Sequence, residues 1–250
     1  MEYFRFGAAL RGKPAPLLGI FIKTGSAEVH EVLAASSADC FIIDAENASL
    51  SRAALSECVF IARSRGAPVF IRLPDASEAE AQHALMIGAD GVILPHCRDP
   101  GAVAHFVHFT RGAAVERAYS GVGRSSARRS MPWPEFSAAA RRDFLVLAQL
   151  DEPEGFEAAE AIAAVPGLDG LFLGLLTLQL SECLGGKDPR TMMHAALAAA
   201  KARGKHVGIS DPDPGQARAW AEGGADLLMI SNDLGALSLG LESRLAAFRR

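Results

Sequence analysis

The chain predicts a single (β/α)8 barrel, an α/β fold of the TIM type. Three observations predict it. A small or apolar residue followed by Asp stands before a short apolar run four times, as Ala38-Asp39, Ala89-Asp90, Leu168-Asp169 and Ala225-Asp226. The apolar runs are continuous rather than alternating, as in strands covered on both faces. The 250-residue length also suits one such barrel, which takes about 200–250 residues. A doubly wound sheet is the runner-up.

The elements follow in order. Leu17–Lys23, Cys40–Ile43 and Pro68–Leu73 are the first three candidate strands. Ser77 with Glu80 forms a capping box for a helix that ends near Gly88. Gly91–Leu94 is the fourth strand and Pro100–Arg111 a helix. The interval Gly112–Pro134 delays the next strand. It is rich in Gly, Ser and Arg (Arg117, Arg124, Arg128, Arg129) and is expected as a long loop, either functional or packing and solvated. Leu145–Leu150 and Gly170–Leu173 are the fifth and sixth strands. Asp188-Pro189 caps the alanine-rich helix Met192–Arg203, which stops at Gly204. His206–Ser210 is the seventh strand, Asp213-Pro214 opens the next helix, and Leu227–Ile230 is the eighth strand. Leu234–Phe248 is an amphipathic last helix. Gly88, Gly167 and Gly224 stand where a helix C-terminus takes a left-handed residue.

Composition narrows the function. Half of the residues are hydrophobic, the formal charge is −4 and aromatics make up 7%, so neither a basic footprint nor a base-stacking surface for nucleic acid is expected. Cys40, Cys58, Cys97 and Cys183 are scattered without a CxxC pair, which fits a reducing compartment better than a disulfide framework. No apolar run reaches the roughly 18 residues of a membrane span, and the N-terminus lacks a signal-peptide layout. A cytoplasmic protein is expected.

In a barrel, chemistry gathers where strands end and βα loops begin. Those positions hold Asp44, Glu46 and Asn47, then Arg72, His96 and Cys97, Gln149, Asp151 and Glu152, Gly174 and Thr177, Ser210, Asp211 and Asp213, and finally Ser231, Asn232 and Asp233. The set reads as an acidic ring around one arginine. Converging carboxylates can hold a hard divalent cation. Arg72 suits bidentate capture of a substrate carboxylate, or it bridges to Asp44 or Glu46. Asp151 is either functional or a helix N-cap before Pro153. His96-Cys97 is a weak metal pair, Gly121-Val122-Gly123 a lone GxG, and His83, His105, His108 and His194 read as surface or packing residues.

These residues resemble the HpcH/HpaI aldolase/citrate lyase family of class II pyruvate-type aldolases. The likeness rests on Phe6–Ile20 (FGAALRGKPAPLLGI), Phe41–Ser49 (FIIDAENAS), Phe70–Pro74 (FIRLP), Gly88–Pro95 (GADGVILP), Val146–Asp151 (VLAQLD) and Leu168–Leu178 (LDGLFLGLLTL), six short motifs in order. The resemblance implies a barrel that cleaves or forms a carbon–carbon bond on a small 2-oxo acid through a metal-stabilised enolate. It implies a Mg²⁺ or Mn²⁺ ion, held by a Glu after the fifth strand and an Asp after the sixth. It also implies a histidine after the second strand and an Asp on the helix after the third, both in proton transfer, and a homo-oligomer, often a hexamer. Carried over, catalysis falls to Arg72, Asn47 and Asp44. Substrate binding falls to Arg72, Gln149, Gly174, Leu175 and Thr177, and the metal to Asp151 with Glu46.

The chain departs from the family pattern at several of these positions. Asp151 is shorter than the family's Glu, and Thr177 replaces its Asp. Asn47 replaces the histidine and does not shuttle protons near neutral pH. Met86 takes the partner Asp position, Leu175 that of the turn proline, and Ser120-Gly121 replaces Arg-Gly. Three functions therefore stand side by side. One is a 2-oxo-acid aldolase or lyase whose base comes from His96, Asp233 or a neighbouring subunit. Another is a retired barrel that binds a carboxylate as a binding or regulatory protein. The third is a metal-independent biosynthetic enzyme whose Arg117–Arg129 segment meets an anionic or CoA-like substrate.

Overall fold

The computed structural model describes residues 4, 10, 16–121, 123, 124, 131–181 and 184–249. Eight parallel strands close into one barrel in chain order. They are β1 (Leu17–Ile22), β2 (Cys40–Asp44), β3 (Val69–Arg72), β4 (Gly91–Leu94), β5 (Leu145–Leu150), β6 (Gly170–Gly174), β7 (His206–Ser210) and β8 (Leu227–Asn232). The helices are α1 (Ala27–Ala34), α2 (Arg52–Ser64), α3 (Glu78–Ile87), α4 (Pro100–Arg111), α5 (Ala113–Ala118), α6 (Trp133–Asp143), α7 (Pro153–Glu157), α8 (Ala159–Ala163), α9 (Leu175–Leu180), α10 (Pro189–Ala202), α11 (Pro214–Glu222) and α12 (Asp233–Phe248).

Both strand faces are buried because they serve two cores. Phe21, Ile42, Phe70, Ile93, Leu147, Phe172 and Met229 fill the barrel interior. Phe41, Ile43, Val69, Ile71 and Val92 belong to the core between barrel and helices. The interior alternates large and missing side chains. A Cβ on Gly91 would lie 2.4 Å from the Phe70 ring, and one on Gly208 would lie 2.5 Å from the Phe172 ring. Those two glycines make the room that the two rings occupy.

The repeated Asp has a structural task. Asp39 accepts from the Leu18 N–H at 3.0 Å, Asp90 from Val69 at 2.9 Å, Asp169 from Val146 at 2.6 Å and Asp226 from Val207 at 2.8 Å. Each carboxylate before an even-numbered strand thus ties down the start of the preceding odd-numbered strand. These bonds lie at the N-terminal end of the barrel, the stability face. Asp90 is 2% exposed, so Asp90→Ala leaves the Val69 donor buried without that acceptor. A loss of about 1–3 kcal/mol is expected, read as a lower urea midpoint with an unchanged slope.

The expected long loop is in part helical. Residues 113–118 form α5, with Ala114, Val115 and Ala118 buried, packed on α3. Its opening at Gly112 carries no side-chain cap, so no start signal marks it in the sequence. Arg117 stacks over Phe109 and Arg124 over Phe60, on the outer helices rather than at the strand ends. Arg128 and Arg129 lie outside the described residues, as do Val122 of the GxG, Cys183 and most of Phe6–Ile20. Among the described residues no helix is long and apolar enough to cross a membrane.

Candidate functional site

The strand ends carry a chain of alternating charges. β2 and β3 pair with Asp44 opposite Arg72, which places carboxylate and guanidinium side by side. Arg72 Nε donates to Asp44 Oδ1 at 3.0 Å and Nη2 to Oδ2 at 2.6 Å, a bidentate fork. Asp44 is fully buried. It also accepts the Asn47 N–H at 3.0 Å and meets Lys23 Nζ at 3.1 Å. The third guanidinium nitrogen, Nη1, lies 3.0 Å from Glu46 Oε2. Glu46 Oε1 is 2.7 Å from His96 Nε2, and His96 Nδ1 is 2.8 Å from Glu152 Oε1. Arg98 Nη2 meets the same Glu152 oxygen at 2.8 Å. Arg72 is thus bridged to Asp44 and Glu46, and it also lines the cavity.

Asp151 stands apart from the fixed cations. It is 2% exposed, and Gln149 Nε2 donates to its two oxygens at 2.9 and 2.7 Å. His96 Nδ1 is 3.8 Å from Oδ2. Burial raises the Asp151 pKa to about 6; Glu46 and Glu152 push the same way, while Gln149 and His96 oppose them. Burial also works to raise Asp44 and Glu152, but Arg72 brings Asp44 below the usual carboxylate range, and Arg98 and His96 do so for Glu152. His96 goes up, because the Glu152 hydrogen bond and the charges of Glu46, Glu152 and Asp151 outweigh burial. Four carboxylates here face three fixed cations, Lys23, Arg72 and Arg98. Asp151 is the acid left without one.

The cavity beside these charges has a volume of about 470 Å³. Arg72, Asn47, Gln149, Gly174, Leu175, Thr177 and Asp151, all expected at the site, line it together. Phe21, Phe172 and Met229 form apolar wall, and Lys23, Gln179, Arg190, Ser210 and Ser231 add polar groups; of these the strand-end reading missed Lys23, Gln179 and Arg190. Gly174 is required here: a Cβ would sit 2.0 Å from Asp151 Oδ1. Asp44 and Glu46 are not lining residues; they hold Arg72 from behind.

Several sequence readings separate at this point. Asp151 is not a cap; Glu152 is the N-cap position of α7, and it makes no side-chain cap bond. His96 and Cys97 do not form a metal pair, because Cys97 is buried, donates to the Leu94 carbonyl and has its thiol pushed up to about 12 by burial. Asp233 accepts from the Lys23 and Thr24 N–H groups at 3.0 and 2.8 Å, and Asp211 accepts from Trp220 Nε1 at 3.0 Å. Both tie elements together. Met86 is 42% exposed on α3 and does not line the cavity. His83 is buried, His105 exposed, and His194 packs on Trp220 with centroids 4.5 Å apart.

The donor set fits a divalent cation. His96, Asp151 and Glu152 each offer one ligand atom, all within 4.8 Å of one another. Glu152 Oε2 is buried with no hydrogen-bond partner. Thr177, at the family's second ligand position, contributes only a neutral hydroxyl.

Similarity to known proteins agrees with this geometry. The sequence profile of the HpcH/HpaI aldolase/citrate lyase family matches residues 17–231. A hydroxypyruvate/pyruvate aldolase from Chromohalobacter salexigens is 30% identical over 241 residues, covering 93% of this chain and 92% of its own. The crystal structure of an HpcH/HpaI aldolase/citrate lyase family protein from Burkholderia cenocepacia superposes with a TM-score of 0.87 at 28% identity, over 98% of this chain and 99% of that one. The citrate lyase beta subunit of M. tuberculosis, solved with oxaloacetate and magnesium, shares the fold at a TM-score of 0.55 and 19% identity, over 89% and 92% of the two chains.

Proposed function

The chain belongs to the HpcH/HpaI aldolase/citrate lyase family, and from that premise we propose that it makes or breaks a carbon–carbon bond beside the keto group of a small 2-oxo acid. The observation that carries this reading is that Arg72, Gln149 and Asp151 line one cavity. The likeness to a hydroxypyruvate/pyruvate aldolase supports the substrate class.

Arg72 binds the carboxylate. A guanidinium has five N–H donors; two are hydrogen-bonded to Asp44, Nη1 meets Glu46 as an ion pair, and the remaining N–H groups are left for substrate. The fork on Asp44 fixes the plane in which they point. Asp151 is the residue that would anchor a divalent cation, Mg²⁺ or Mn²⁺ on the family resemblance, with Gln149 orienting its carboxylate. Glu46, expected beside it, has its carboxylate turned to Arg72 and His96. When bound, the cation supplies Lewis-acid stabilisation of charge developing on the keto oxygen. Phe21, Phe172 and Leu175 exclude water around the reacting carbons. Asn47 orients by hydrogen bonding and carries no proton.

The test is exchange of pyruvate methyl protons in D₂O with Mg²⁺ or Mn²⁺, followed by NMR. Loss of the methyl signal at an enzyme-dependent rate is expected. No exchange with any divalent metal at high protein concentration overturns the lyase reading.

A carboxylate-binding barrel without turnover is the second reading. Asn47 and Thr177 in the cavity, with Met86 outside it, favour this alternative. It gives a raised melting temperature with pyruvate or oxaloacetate and no exchange. The metal-independent reading has less support, since Arg117 and Arg124 pack on outer helices. A cytoplasmic setting is part of the proposal and fits the buried free thiols of Cys40, Cys58 and Cys97.

A homo-oligomer, a hexamer on the family resemblance, also belongs to it. Of all the α12 residues only Asp233 is buried, while Leu234, Leu237 and Leu241 are 50%, 67% and 56% exposed. That is more apolar surface than a solvated helix carries. Leu237→Glu is expected to shift the protein to smaller species in light scattering.

A further inference from the structure

His96 and Glu152 flank Asp151 at the ends of β4 and β5, outside the ligand set that the family resemblance implies, and the β6 side offers Thr177. We propose that this chain holds its divalent ion with His96 Nδ1, Asp151 and Glu152, a displaced ligand set whose imidazole favours Co²⁺ or Zn²⁺ over Mg²⁺. The proposal rests on the reading above that a divalent ion serves the site, and it adds which residues hold it and which ions they select.

His96 Nδ1 lies 2.8 Å from Glu152 Oε1 and 3.8 Å from Asp151 Oδ2. Ligand arms of about 2.1 Å set neighbouring donors roughly 3.0–3.5 Å apart, so small side-chain movements bring the three atoms onto one ion. The ring is already oriented for this. Nε2 faces Glu46 Oε1 at 2.7 Å, and Glu46 is held by Arg72. A carboxylate on the far nitrogen fixes the tautomer of ligating histidines and makes them better donors. Here it would hold the proton on Nε2 once an ion displaces the Nδ1 proton that otherwise faces Glu152.

A buried side chain beside that cluster is also short of a partner. Gln149 is 2% exposed, has Nε2 on both Asp151 oxygens, and leaves Oε1 without a hydrogen bond. Glu152 Oε2 is likewise buried and unpartnered. The cavity reaches the ion's position through Asp151, which is a lining residue and a member of the triad. Imidazole is a ligand for transition ions, whereas Mg²⁺ takes oxygen and keeps its waters.

The test uses the full chain freed of metal and titrated with Co²⁺, Zn²⁺ and Mg²⁺ by calorimetry, with the visible spectrum of Co²⁺ as a second readout. His96→Asn is the first variant, because asparagine tolerates the left-handed backbone at this position (φ 53°). Glu152→Gln is the second and keeps the side-chain size. Wild type is expected to bind one Co²⁺ or Zn²⁺ at least tenfold more tightly than Mg²⁺. Each variant is expected to lose Co²⁺ affinity by about tenfold or more, with the His96→Asn spectrum losing its nitrogen-ligand signature and both variants still unfolding cooperatively. Equal Co²⁺ affinity and spectrum in wild type and both variants, or no Co²⁺ and no Zn²⁺ bound by wild type, overturns the proposal. Pyruvate exchange measured alongside separates the two ideas: exchange that persists despite either overturning result leaves the lyase reading standing.

Discussion

Arg72→Met is expected to abolish pyruvate exchange and to remove about 3–5 kcal/mol of stability, the cost of stripping one partner from a buried ion pair. Asp44 has no exposure, and Arg72 supplies both bonds of the fork. Lys23 reaches only one of the Asp44 oxygens and is itself 28% exposed, so it cannot replace the lost guanidinium. The pH dependence has a definite sign. Asp44 is held below the usual carboxylate range, so the stability it gains from Arg72 is fully present above the unfolded pKa and is lost as pH falls through the lower folded value. Arg72→Met therefore loses most at neutral pH and converges on wild type in strong acid. Adding Asp44→Asn to Arg72→Met is expected to recover much of the stability and none of the exchange, because the second change neutralises the stranded charge without restoring a carboxylate binder. Urea unfolding of wild type, both single variants and the double variant at pH 7 checks this. An unchanged midpoint in Arg72→Met shows that the pair is worth no more than a surface bridge.

The barrel was legible because its strands are short and largely apolar, and every second one follows a small or apolar residue and Asp. What those four acids do was not legible. Asp90 bonding the Val69 N–H depends on which strands are neighbours and in what register, and no local pattern encodes either. The arginine strand and Asp44 were readable as strand ends, and their pairing follows from the β2–β3 register. His96 was harder. The adjacent Cys97 suggested a pair, yet the two side chains diverge, and the partner of His96 Nδ1 is Glu152, 56 positions away. Asp-Glu-Pro at Asp151 to Pro153 suits a cap and a ligand equally in sequence. Burial decides between them: Gln149 turns to Asp151, and Glu152 takes the cap position. Helix α5 escaped because it opens without a capping side chain.

Asp151→Asn is expected to stabilise the protein at pH 8 while ending metal-dependent exchange. Asp151 is buried, touches no fixed cation and has its pKa raised from 3.8 to about 6. A raised acid reverses the sign of the Asp44 case. Between roughly pH 4 and 6 the folded state binds the proton that the unfolded state has released, so stability falls as pH rises through this window. A rise of that size in an acid's pKa corresponds to about 3 kcal/mol. Relaxation around the carboxylate reduces this, and about 2 kcal/mol is the expected gain for Asp151→Asn at pH 8. The gain should vanish near pH 4, where the wild-type carboxyl stays protonated in the folded state and costs nothing by its charge. The asparagine Oδ1 still accepts from Gln149 Nε2, and its amide can face Gln149 Oε1, which has no partner in wild type, so the two amides satisfy each other. A divalent ion acts on wild type in the same direction, supplying the missing positive charge, and it should raise wild-type stability at pH 8 with little effect on Asp151→Asn. Urea unfolding at pH 4 and pH 8, with and without Co²⁺, reads all of these effects. A variant less stable than wild type at pH 8 without metal would mean that Asp151 is held as a structural acid rather than against the stability of the fold.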